Sequence, residues 1–157
     1  MNANTLMIAV AVIACSIPAP ALAGGRVELR GGALNDAGTT GGLAGIAAGY
    51  DFDLPGPVFI GAEVSLDANL AQANLGNTDV LLGLSVRAGT KVGLGGKLYV
   101  TGGQTIQSID NAPYHLGGGY QQAIGPLFYV KGEYRHYFAQ DLFDGGDSFV
   151  AGVGLKF

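Results

Sequence analysis

The sequence predicts an all-β fold: eight antiparallel strands, joined up and down and closed into a barrel that spans a lipid bilayer. Three observations predict it. First, residues 148–157 (SFVAGVGLKF) alternate without a break, with Phe149, Ala151, Val153, Leu155 and Phe157 on one side and Ser148, Val150, Gly152, Gly154 and Lys156 on the other. Side chains of a strand repeat every second residue, so the first set makes one apolar face that ends on an aromatic ring. Lipid suits such a face, because a membrane barrel is apolar outside, small or polar inside and ringed with aromatics at the interface. Second, 48% of the residues are hydrophobic, yet after residue 23 no apolar run approaches the roughly 20 residues of a spanning helix. Third, the alternating segments are even in number, which returns both ends of the barrel to one side of the membrane.

The amino-terminal stretch is of another kind. Residues 6–14 form an apolar core, Pro18 and Pro20 break the helix, and Ala21-Leu22-Ala23 is an A-x-A cleavage site. Residues 1–23 therefore read as a signal peptide cut after Ala23, and residues 24–157 as the barrel domain. Its positive region is weak, with the α-amino group alone to supply charge. Val12-Ile13-Ala14-Cys15 offers a competing lipoprotein processing box, against which the prolines and the A-x-A site downstream count. With cleavage after Ala23 the single cysteine, Cys15, leaves with the signal, and the mature chain has neither disulfide nor thiol chemistry. Every charged side chain lies after residue 23, and they sum to a formal −4 without clustered Lys and Arg, which argues against a nucleic-acid partner.

The strands fall at residues 26–34, 43–52, 58–67, 79–90, 97–106, 114–124, 127–138 and 148–157, most of them near the length of about 9–11 residues that a tilted strand needs to cross. The first places Glu28 and Arg30 on one face, and the second does the same with Gly45, Gly49 and Asp51. In the third, Val58, Ile60, Ala62, Val64 and Leu66 meet lipid, while Gly61, Glu63, Ser65 and Asp67 point inward. The fourth turns Val80, Leu82, Leu84, Val86 and Ala88 outward, with Gly83, Ser85 and Arg87 inside. A fifth strand starts after the turn Gly93-Leu94-Gly95-Gly96, and a sixth, with Gly117 and Gly119 inward, ends at Gly125-Pro126. The seventh has Phe128, Val130, Gly132, Tyr134, His136 and Phe138 on one side and Tyr129, Lys131, Glu133, Arg135 and Tyr137 on the other. Its aromatic face is more than a short single-layer sheet can expose to water, and the chain is too small to cover eight such faces with a second layer. The connections at 35–42, 68–78, 107–113 and 139–147 are longer than those between them, the pattern of long outer loops and short periplasmic turns.

Inward faces then carry Glu28, Arg30, Asp51, Glu63, Asp67, Arg87, Lys131, Glu133, Arg135 and Lys156, with the two signs equal in number. The interior of an eight-stranded barrel is just wide enough for its own side chains. An unpaired charge there bears a large desolvation cost, so the predicted lumen network, Glu28, Arg30, Glu63, Arg87, Lys131, Glu133 and Arg135 at its centre, consists of hydrogen-bonded ion pairs. Inward glycines at 45, 49, 61, 83, 117 and 119 leave room for the long side chains opposite. A plugged lumen is favoured over a polar conduit.

Other chemistry fits less well. Gly93-Leu94-Gly95-Gly96-Lys97 lacks both the first Gly and the Ser or Thr of a phosphate loop, and reads as a turn. His115 and His136 have no second ligand at metal-site spacing. Asp141, Asp144 and Asp147 around Gly145-Gly146 offer oxygen ligands for calcium but not in EF-hand order. With Asp36 and Asp110 they make an acidic outer rim. No cofactor is expected.

The carboxyl-terminal strand resembles the assembly signal of bacterial outer-membrane barrels, through Phe157, Leu155 two residues before it and Gly152 five before it. Val150 departs from the polar residue usual two positions ahead of the Gly. The resemblance implies that the barrel-assembly machinery reads this strand. Gly49-Tyr50-Asp51-Phe52, Phe59-Ile60-Gly61-Ala62-Glu63, Gly132-Glu133-Tyr134-Arg135 and the ending Gly152–Phe157 are similar to the small outer-membrane β-barrel superfamily, which includes opacity-type proteins and the barrel domain of outer-membrane protein A. Lipid-deacylating barrels carry a Ser two residues after a His, whereas His136 is followed by Tyr137 and Phe138, and His115 by Leu116 and Gly117. The expectation is a monomeric, non-enzymatic envelope-structural or surface barrel of the Gram-negative outer membrane, in contact with its lipid. No carboxyl-terminal peptidoglycan-binding domain is expected. A narrow channel for small solutes is the alternative.

Overall fold

The computed structural model describes residues 24–36, 39–70, 80–106, 112–139 and 145–157. The predicted signal peptide, residues 1–23 with its cut after Ala23, lies outside them. Eight strands follow: β1 (Gly25–Asp36), β2 (Thr39–Asp53), β3 (Val58–Asn69), β4 (Val80–Val92), β5 (Gly96–Ile106), β6 (Tyr114–Ile124), β7 (Phe128–Tyr137) and β8 (Gly146–Lys156). Each is antiparallel to its neighbours in sequence, and β1 pairs with β8 from Arg26↔Lys156 to Asp36↔Gly146, so the sheet closes without an open edge. Closure matters in lipid, where an unpaired backbone group has no water to turn to.

The connections at residues 54–57, 93–95 and 125–127 are tight, and Gly56 (φ 83°) and Gly125 (φ 69°) occupy the left-handed region that glycine enters without a Cβ clash. These turns lie at the end of the barrel that also holds the start of β1 and the end of β8. At the opposite end the connections span 70–79, 107–113 and 138–145. The first connection departs from the prediction: residues 35–42 are not a long loop, because β1 and β2 keep pairing through Asn35↔Thr40 and Asp36↔Thr39. The apolar alternation that marks a strand fades where the chain leaves the lipid, whereas backbone pairing continues past that point.

Facing follows the predicted parity. Val86 (66% exposed) and Phe149 (61%) stand on the outer surface, while Phe59 and Tyr129 (both 0%) fill the inside. Leu66 keeps its outward parity but is covered, with Ile46 and Leu82 directly across the ladder on either side. Outward aromatic rings gather at two levels, Phe52, Phe128 and Phe157 towards the short turns and Tyr114, Tyr134, Phe138 and Phe149 towards the other end. Aliphatic side chains such as Leu29, Val100 and Val153 occupy the band between them, as a bilayer requires.

Candidate functional site: the barrel lumen

The inner faces of the strands bring the predicted charges together. Glu28, Arg30, Asp51, Glu63, Asp67, Arg87, Lys131, Glu133 and Arg135 are all buried, and Lys156 sits part-exposed at the short-turn end. How they meet follows a rule that the register makes plain. Asp51, Gly61 and Arg87 stand in one row across β2, β3 and β4, and Arg87 bonds Asp51 over the glycine, Nε to Oδ1 at 2.9 Å and Nη2 to Oδ2 at 2.6 Å. Arg30, Gly45 and Asp67 form the same row across β1, β2 and β3, with Arg30 Nε donating to Asp67 Oδ1 at 2.6 Å and Nη2 to Oδ2. Arg26 reaches Glu63 over Gly49 (Nη1 to Oε2, 3.0 Å). Tyr99 reaches Glu133 over Gly119 (2.7 Å), and Tyr129 reaches Glu28 over Gly154 (3.0 Å). A Cβ on the glycine of each row collides with the side chains that cross it. The predicted room above Gly45, Gly49, Gly61 and Gly119 is therefore occupied by long polar side chains. Gly83 faces Ser65 instead, and Gly117 lies against the Tyr134 carbonyl.

Glu63 is the hub of the network. Four cations converge on its carboxylate: Arg26 at 3.0 Å, Arg30 at 3.2 Å, Lys131 at 3.4 Å and Arg135 at 2.9 Å. Lys131 also holds Glu28 at 2.8 Å, and Arg135 holds Glu133. Charges this buried are tolerable because each carboxylate is matched by cations within hydrogen-bonding reach. The Arg87 guanidinium also lies over the rings of Phe59 (5.5 Å) and Tyr99 (4.8 Å), where the electron-rich faces offset part of its desolvation.

Sequence reasoning missed two cations here. Arg26 and Lys97 are the first residues of the predicted strands 26–34 and 97–106, two before Glu28 and Tyr99, so the parity of those strands already places both inward. Lys97 bonds Asp51 at 2.7 Å. Arg26 is 3% exposed, and none of its guanidinium nitrogens has an aligned hydrogen-bond acceptor among the described residues.

The two ends of the lumen differ. Towards the long connections, Leu34, Leu43, Leu81, Tyr137 and Val150 pack into an apolar cluster. Val150, the departure noted in the terminal pattern, is 2% exposed and packs in that cluster, where its apolar side chain is removed from water. At the short-turn end the lumen widens into a cavity of about 380 Å³ bordered by Arg26, Asp51, Lys97 and Lys156. Of the terminal triplet, Gly152 lies beneath Glu28, while Leu155 and Phe157 face outward. Phe157 is tied to the start of the barrel, its N–H to Gly25 O at 2.9 Å and its O to Gly24 N–H at 2.7 Å.

His115 lies inside the lumen between two hydroxyls, Ser85 Oγ at 3.0 Å from Nε2 and Thr105 Oγ1 at 3.3 Å from Nδ1. A Ser–His contact thus exists, but it is buried inside the wall, away from the lipid face. His136 is on the outer surface with Nδ1 2.8 Å from Asp147 Oδ1, which also accepts from Tyr134 OH at 2.5 Å. Asp110, Asp141 and Asp144 lie outside the described residues. Among the described residues no His, Cys, Asp and Glu group converges on a metal position. Of the Gly93–Lys97 segment, residues 93–95 make the turn between β4 and β5, and Gly96 and Lys97 open β5.

Residues 7–157 match the family described as outer membrane protein beta-barrel domain. No curated protein matches the chain in sequence. Among solved structures, the N-terminal β-barrel domain of Pseudomonas aeruginosa OprF is similar at 18% identity and a TM-score of 0.59, covering 84% of this chain and 97% of that one. Neisserial surface protein A is similar at 16% identity and a TM-score of 0.56, covering 85% and 97%. A barrel from the de novo design of transmembrane β-barrels is similar at 14% identity and a TM-score of 0.55, covering 84% and 95%. At these identities the likeness is one of fold.

Proposed function

The chain belongs to the outer membrane protein β-barrel family, and we propose that it acts there as a non-enzymatic surface or envelope-structural barrel whose polar lumen is plugged by its own side chains. The observation that carries this reading is the apolar cluster of Leu34, Leu43, Leu81, Tyr137 and Val150 at one end of an otherwise polar lumen. Against these side chains an ion loses hydration to apolar surface, with the Tyr137 hydroxyl and Ser148 as the polar groups beside it. Beneath the cluster, the charges spend their hydrogen-bonding capacity on one another around Glu63, which leaves few groups to conduct with.

In the same reading residues 1–23 direct export and are removed after Ala23. Gly152, Leu155 and Phe157 on β8 serve the barrel-assembly machinery. The folded barrel is a monomer embedded in outer-membrane lipid, without cofactor and without nucleic acid. Reconstitution of the folded chain into a planar lipid bilayer tests the central point, and the expected record shows no discrete conductance. Discrete steps favour the second reading, a narrow channel for small solutes, for which the cavity of about 380 Å³ at the short-turn end speaks. Altered lipid A on deletion of the gene points instead to an outer-leaflet lipid-modifying enzyme.

A further inference from the structure

The cavity at the short-turn end has a charge arrangement that the plugged lumen does not explain. Two pairs of like charges stand directly opposite each other across its walls, Arg26↔Lys156 between β1 and β8 and Lys91↔Lys97 between β4 and β5. Like charges in such register repel and destabilise a ladder unless something lies between them. The second pair has its own carboxylates, Asp53 on Lys91 at 2.7 Å and Asp51 on Lys97 at 2.7 Å. The first pair has none to itself. Arg26 shares Glu63 with three other cations and stands 3.7 Å from Asp51, which Arg87 and Lys97 already hold. No carboxylate side chain among the described residues comes within ion-pair distance of Lys156. Among the described residues that border the cavity, Arg26, Lys91, Lys97 and Lys156 stand against Asp51, Asp53 and the Phe157 carboxylate, so cations are in excess at this end.

We infer that the cavity is a binding site for a small oxyanion of the phosphate class, held between Arg26 and Lys156 with Lys97 at its side. A buried guanidinium without aligned acceptors supplies N–H donors in a fixed fork, and an ammonium supplies a point charge opposite. A tetrahedral oxyanion presents acceptors in several directions at once, so it can bridge the two walls and remove the repulsion between them. The cavity opens at the short-turn end, so the anion reaches it without crossing the apolar cluster. Either free phosphate or the phosphate of a lipid headgroup at that rim satisfies this chemistry.

The test uses the isotope-labelled chain folded in an uncharged maltoside micelle, titrated with inorganic phosphate and, at matched ionic strength, with chloride. Saturable shifts of the Arg26 side-chain N–H and of the backbone amides at Gly95–Lys97 are expected with phosphate and not with chloride. Lys156→Gln, at a part-exposed position that leaves the barrel folded, weakens the phosphate affinity by about tenfold or more. Lys91→Gln, whose partner is Asp53, leaves it within about threefold. Nanodiscs of anionic phospholipid separate the two sources. If they produce the same shifts without added phosphate, the headgroup is the ligand; if they leave the site open to phosphate titration, the free anion is. Shifts that never saturate, that chloride reproduces, or that Lys156→Gln leaves unchanged overturn the site.

Discussion

Arg87 on β4 and Asp51 on β2 are joined by a two-pronged hydrogen bond that passes over Gly61 of the strand between them. The pair therefore depends on three residues in one row, two that bond and one that stays out of the way. Removing one partner of a buried ion pair strands the other, at a cost of about 3–5 kcal/mol, whereas exchanging both for apolar groups of like volume is often near neutral. Arg87→Ala is expected to lower stability by about that amount in urea unfolding. The double change Arg87→Met with Asp51→Leu should cost less than the sum of the two single changes, although Lys97 loses its carboxylate with it. Additive losses would show that the two residues do not act as a pair.

Gly61 carries the second prediction. A Cβ there meets Asp51 Oδ1 at 2.5 Å and the Tyr50 carbonyl at 2.7 Å, while at the outward Gly132 it meets nothing within 4 Å. Gly61→Ala should cost about 1–3 kcal/mol, the range of an overpacked core, and separate Arg87 from Asp51. Gly132→Ala should stay within about 0.5 kcal/mol of the parent, as surface changes do. Equal effects on the unfolding midpoint would remove the steric argument for glycine inside this barrel.

Glu63 should be the most sensitive carboxylate in the lumen. Glu63→Gln keeps the shape and deletes the charge on which Arg26, Arg30, Lys131 and Arg135 converge. Asp67→Asn deletes a charge whose ion partner is Arg30. The Glu63 change is expected to cost at least about 3–5 kcal/mol and more than the Asp67 change, measured side by side in the same detergent. A larger loss at Asp67 would move the centre of the network.

Phe157 bears on assembly and on closure of the barrel together. Its backbone bonds Gly24 and Gly25, and its ring lies on the lipid side near the short turns. Deleting it should sharply reduce the heat-modifiable folded band in the outer-membrane fraction, while secretion across the inner membrane continues. Normal amounts of folded barrel in the deletion strain would deny this residue its role.

The eight strands, their parity and most of the inward charges were legible in the sequence because a strand's side-chain period is local. Two residues of context suffice to say which way Lys131 or Val130 points. The same step of two reaches Arg26 and Lys97, which open their predicted strands where the apolar pattern is thin. The short first connection was hidden for the same reason: pairing between Asp36 and Thr39 is a property of two backbones and leaves little trace in side-chain type.

Which acid meets which base belongs to the tertiary structure alone. Every pair that crosses a glycine joins strands two apart, so it depends on the stagger of two successive ladders, and a slip of one residue in either puts the partners on opposite faces. Closure then decides the rest. Joining β1 to β8 sets Arg26 against Lys156, brings Glu63 under four cations and gathers Leu34, Leu43, Leu81, Tyr137 and Val150 from strands far apart in the chain into one cluster. Local periodicity determined that these residues face inward. Only the closed barrel decided what they face.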